Sequence, residues 1–118
     1  MKTDLEVIDG AIDLVSKDGG WCQGTMCRDS AGLPGSEAEQ PVSFCLEGAV
    51  RYSATSNESV WIYNRGNQAL WDQVERVNEV IATACGWDFV RRFNDSKSTT
   101  QEDAILALKT ARTILEDK

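Results

Sequence analysis

Apolar residues recur at helical spacing in four stretches of the chain. Leu5, Ile8, Ala11, Ile12 and Val15 fall three and four apart, with Asp4, Glu6, Asp9, Asp13 and Lys17 around the rest of the turn. This stripe predicts a helix over residues 3–18, stopped by Gly19-Gly20. Pro41 suits a first helical position, and Phe44, Cys45, Ala49 and Tyr52 carry a second stripe through residue 54. Gly48 lies inside that helix, where a missing side chain signals the close approach of another backbone.

Ser56 or Asn57 is placed to cap the next and longest helix. It opens near Trp61 and Ile62, is interrupted at Gly66-Asn67, and runs along Leu70, Val74, Val77, Ile81 and Ala84 to a stop at Cys85-Gly86. Trp87 to Asp95 reads as a connector or a single helical turn. Thr99-Thr100-Gln101-Glu102 has the form of a capping box. It introduces a last helix lined by Ala104, Ala107, Leu108, Ala111, Ile114 and Leu115.

Residues 21–29 break the helical period. Their loose alternation, followed by Asp29-Ser30-Ala31-Gly32 and Leu33-Pro34-Gly35, predicts a short β-hairpin or an irregular loop. The expected fold is therefore mainly α (α+β): a single compact domain over 1–118, with four to five helices and a short β element after the first. With 42% hydrophobic and 26% charged residues the composition is that of an ordinary globular chain, and 118 residues are too few for two independent cores.

One absence narrows the chemistry. The chain has no histidine. Ser-His-Asp and Cys-His nucleophilic sites, His-ligated zinc and imidazole switching are thereby excluded. A net charge of −7 sets most of the surface against a nucleic-acid backbone, so generic DNA or RNA binding is not expected. No apolar run approaches membrane-spanning length and no signal-peptide pattern opens the chain, so a cytoplasmic protein without a membrane role is expected. Cys22, Cys27, Cys45 and Cys85 are then free thiols. Their spacing does not supply the two close pairs typical of structural zinc. No metal, cofactor or catalytic residue is assigned. Glu75 and Glu79 stand one helical turn apart without a partnered motif elsewhere, and read as a solvated helix face.

Four tryptophans (Trp21, Trp61, Trp71, Trp87) are more than so short a chain needs for its core. Trp21 borders a glycine-flanked loop that holds Gln23 and Arg28. Trp87 precedes Arg91-Arg92 and Asn94-Asp95. Indole faces stack on bases and guanidinium forks hold anions, so the two connectors together make a candidate ligand site: Trp21, Gln23, Arg28, Trp87, Arg91, Asn94 and Asp95. If the connector is helical, Trp87 and Arg91 share a face at i, i+4, which makes Arg91 the anion-facing residue and leaves Arg92 to a nearby carboxylate. The same motifs also read as joints of the fold, Gln23 and Asn94-Asp95 being suited to satisfying local backbone groups.

Three elements in order carry a resemblance: Gly20-Trp21-Cys22-Gln23-Gly24, Phe44-Cys45-Leu46-Glu47-Gly48-Ala49, and Phe93-Asn94-Asp95. Together they resemble a family of small uncharacterised bacterial and phage proteins with W-x-Q-G, C-x-x-G-A and W-N-D elements; Phe93 stands here in place of the last tryptophan. The resemblance implies a fold but no activity, and points toward host–phage conflict. The expected function is a non-enzymatic binding protein that sequesters a small anionic, nucleotide-type signal or a host protein. Two alternatives are a thiol enzyme using Cys22 or Cys27 with Asp29 or Glu47, and a self-associating interaction module (a homo-oligomer).

Overall fold

A computed structural model describes residues 2–35, 40–60 and 67–117. Helix α1 (Asp4–Ser16) opens on a reciprocal cap: Glu6 N–H donates to Thr3 Oγ1 at 3.1 Å and Thr3 N–H to Glu6 Oε1 at 2.9 Å. Two-residue strands follow, β1 (Cys27–Arg28) and β2 (Ser43–Phe44), paired antiparallel with Cys27 opposite Phe44. Trp21 bridges to the other side of Phe44 in parallel. Then come α2 (Leu46–Ala54), α3 (Gln68–Cys85), the short α4 (Val90–Asp95) and α5 (Gln101–Glu116). The mainly helical fold with a small β-hairpin is as expected.

α1 packs on α2 and α5, and α3 covers α5 and α2. Val7, Ile8, Ala11 and Val15 of α1 meet Leu46, Ala49 and Val50 of α2, Val74, Val77 and Ile81 of α3, and Ala104, Leu108 and Ala111 of α5 in one buried cluster. Three glutamines close the gaps between elements. Gln73, 1% exposed, donates to Lys2 O and Asp4 Oδ1, beside the Arg76–Asp4 pair. Gln101 donates to Val15 O and Lys17 O at the end of α1. Gln23 does the same for α4.

Four boundaries differ from the sequence expectation. Pro41 does not start a helix. Ser43 and Phe44 are drawn into the ladder with β1, and the buried Cys45 caps α2 by accepting Gly48 N–H at 3.2 Å. Ser56 and Asn57 cap no helix start. Both have positive φ, and their N–H groups return to Ser53 O and Tyr52 O, finishing α2. Asn67 caps α3 instead; the expected opening at Trp61 and Ile62 lies outside the described residues. The capping box of α5 sits one residue later than read, between Thr100 and Asp103, because the Thr99 hydroxyl is turned inward to Phe93 O at 2.7 Å.

Gly48 meets the expectation for a close approach. A Cβ there would stand 2.0 Å from Met26 O, whereas one on Gly86, which ends α3 at φ +73°, would meet nothing within 4 Å. Gly86→Ala should therefore cost only the backbone term, about 1–2 kcal/mol. Gly48→Ala should cost more, about 2–3 kcal/mol of overpacking even after its gain in helix propensity. Urea melts of the two variants check the order; a stabilised Gly48→Ala would mean that the loop at Met26 yields freely.

Candidate functional site

The two connectors singled out in the sequence do meet, and they meet at Asn94. This residue is 1% exposed and its amide is saturated. Oδ1 accepts Trp21 Nε1–H at 2.7 Å and Leu46 N–H, in the first turn of α2, at 3.0 Å. Nδ2 donates to Cys22 O and to Asp95 Oδ1, each at 3.0 Å. Gln23 Nε2 donates to Asn94 O and Ser96 O at 2.9 Å, and Gly24 N–H to Asp95 Oδ1 at 3.0 Å. The loop after α1, the start of α2 and the end of α4 are thus pinned through one side chain. Here the polar atoms of Trp21, Gln23 and Asn94 serve the chain itself.

The other named residues lie around this joint. Arg28 donates to Gly32 O at 3.1 Å and Gln23 O at 3.5 Å, holding its own loop. Trp87 precedes α4 rather than belonging to it, and is 42% exposed beside the Phe93 ring. The i, i+4 face proposed for Trp87 and Arg91 is therefore not formed. Arg91 reaches Glu47 at 3.3 Å, and Arg92 reaches Asp88 at 4.0 Å. Arg91 and Asp95, with Gly24, Thr25, Met26 and Cys45, also line a cavity of about 300 Å³ next to the joint.

The thiols are set against nucleophilic chemistry. All four cysteines are free, and Cys22, Cys27 and Cys45 are buried. Burial pushes every one of the four above the usual thiol value of 9.0, and Cys45 up to about 12. The Cys45 position is the cap of α2, not the apolar helix face that periodicity suggested. Among the described residues no group of three or more Cys, Asp or Glu side chains is arranged to hold a metal ion.

A larger depression, of about 560 Å³, runs between α2, α3 and α4. Val74, Ala82 and Val90 form its apolar floor. Glu47 and Arg51 form an ion pair at 2.9 Å, with side chains only 13% and 14% exposed, and the Arg51 guanidinium lies over the Trp71 ring at 5.2 Å. Glu75, Asn78 and Glu79 stand along the α3 wall, and Phe89, 62% exposed, stands on the opposite rim. Arg91 alone among the named ligand residues lines this groove. The sequence did hold a signal for it, the i, i+4 spacing of Glu47 and Arg51 on a helix with a buried face.

A family model, described as a family of unknown function (DUF6197), matches residues 1–113. The chain belongs to DUF6197. No curated protein and no solved structure matches it. In this DUF6197 chain the three sequence elements that carried the family resemblance are the segments joined through Asn94, Leu46 and Gln23.

Asn94→Ala strands the Trp21 and Leu46 donors and the Cys22 carbonyl, and should cost about 3 kcal/mol or more, since each buried orphan costs about 1–3 kcal/mol. Asn94→Asp keeps an acceptor for both donors but sets a carboxylate against Cys22 O and Asp95. Its folded pKa is then raised, so the variant should gain stability as pH falls and lose it as pH rises through that value. Denaturant midpoints between pH 4 and 7 test this; equal losses at both ends would rule it out.

The Cys45 thiol gives the opposite end of the pH scale. Its folded pKa lies above the unfolded one, so its contribution is full below about 9 and is lost as pH climbs from there toward about 12. Cys45→Ser retains a cap acceptor and removes that titration. Its stability should fall less steeply than the parent's between pH 8.5 and 10.5, as read by urea midpoints.

Proposed function

We propose that the protein is a non-enzymatic binding protein whose ligand lies in the groove between α2, α3 and α4. One observation carries this reading: a half-buried ion pair, Glu47–Arg51, is held at the wall of an open depression with an apolar floor and an exposed aromatic rim. Binding sites combine these features, namely apolar area for affinity and a few fixed polar groups for orientation. The Asn94 joint offers less, because its donors and acceptors are already used. Raised thiol pKa values and the absence of histidine weigh against the thiol-enzyme alternative. A groove of this kind suits sequestration, the role in host–phage conflict to which the family resemblance points.

Amide NMR of the 13.0 kDa chain during a fragment screen tests the site without knowledge of the natural ligand. Shifts should cluster on Val74, Asn78, Ala82, Phe89 and Val90 and spare residues 21–28. A cluster on 21–28 and 94–96 would move the site to the joint. No cluster at all would remove the binding reading.

A further inference from the structure

We propose that the occupant of the groove is a basic segment of a partner protein, one that presents a lysine or arginine beside an apolar side chain. This rests on the groove being the binding site. The charges of the groove lead to it. Each of its three guanidiniums already has a carboxylate: Arg51 and Arg91 share Glu47, and Arg92 reaches Asp88. Glu75 and Glu79, one turn apart on α3, make no ion pair among the described residues. Among the described residues an incoming anion would meet four carboxylates and no guanidinium without a carboxylate partner. An incoming cation meets two carboxylates that have no ion-pair partner among the described residues, at a spacing that one side-chain ammonium or guanidinium can bridge.

The apolar surface decides the size of the partner. Phe89 is 62% exposed on the rim. A small polyvalent cation would neutralise Glu75 and Glu79 but leave the Phe89 ring in water. A chain segment covers that ring while its basic residue reaches the α3 wall, which is the usual division of an interface into an aromatic anchor and a charged rim. The net charge of −7 adds a long-range attraction for such a segment.

Selection from a display library of random 12-residue peptides against the intact chain tests the proposal. The enriched peptides should place lysine or arginine within two positions of an aromatic or aliphatic residue. The best of them should bind at least tenfold more weakly to Glu75→Gln/Glu79→Gln and to Phe89→Ala. A charge-matched control far from the groove, Asp13→Asn/Glu102→Gln, should bind it as the parent does. All of the substituted side chains are exposed, and circular dichroism melts verify that each variant is folded. Should one melt early, loss of at least tenfold in affinity for the parent between 50 and 500 mM salt serves in its place. Enrichment of acidic peptides, no enrichment, equal weakening by the control, or a parent dimer that Phe89→Ala dissociates would each overturn it. Fragments that still bind the groove while basic peptides fail would leave the binding reading standing and remove only this inference; failure of both removes both.

Discussion

The fold turns on the side-chain amide of Asn94. A single amide offers two donors and two acceptor directions, and here partners in three separate segments use them. Without it the Leu46 N–H at the start of α2 and the Cys22 carbonyl would be buried without a partner, and the half-buried indole N–H of Trp21 would lose its acceptor. An amide is suited where a carboxylate or a hydroxyl is not, because the pocket presents donors on one side and acceptors on the other. α4 spans only six residues, too short to hold itself. It is held from outside, with Asn94 facing the joint, Gln23 sealing its last carbonyls and Thr99 closing on Phe93.

α4 also forms one wall of the groove, so joint and groove are mechanically linked. Arg91 and Asn94 lie three residues apart on the same short helix; one reaches Glu47 of α2 and the other Leu46 of α2. Glu47 in turn holds Arg51 against Trp71 of α3. The chain of contacts from Trp21 to Trp71 thus passes through neighbouring residues at the first turn of α2. Residues of the joint therefore fix where the α4 wall of the groove stands.

Much of the architecture was legible in the periodicity, because α1, α3 and α5 bury regular stripes over more than three turns. The errors fell where two local signals compete. Pro41 reads as a helix start, yet Ser43 and Phe44 are claimed by a partner strand of only two residues, a pairing that no local pattern at 41–44 announces. Thr99 and Thr100 both fit a cap, and only the inward hydroxyl bond of Thr99 selects the second. The convergence of the two connectors was also readable, from Trp, Gln and Asn-Asp concentrated in two loops. What they do on meeting was not, since a donor that binds a ligand and one that binds a carbonyl far along the chain look alike in sequence. The groove was least legible. It is assembled from the half-polar faces of three helices, and Glu75 and Glu79 read in isolation as solvated surface.

The Glu47–Arg51 pair also bears on why the groove exists. Withdrawing both charges to 13–14% exposure costs desolvation free energy that one ion pair recovers only in part. A leucine and a methionine at these positions would fill the same space at no such cost, so the pair is a poor device for stability alone. Arg51 is held by stacking on Trp71 and Glu47 is shared with Arg91, which fixes both side chains in position. Fixed, partly dry charges at the edge of an apolar floor discriminate between partners more strongly than exposed ones, because a mismatched group buried against them finds no water to compensate. Among the described residues every guanidinium of the groove has a carboxylate partner while Glu75 and Glu79 make no ion pair, so on the proposed reading that discrimination runs against anions.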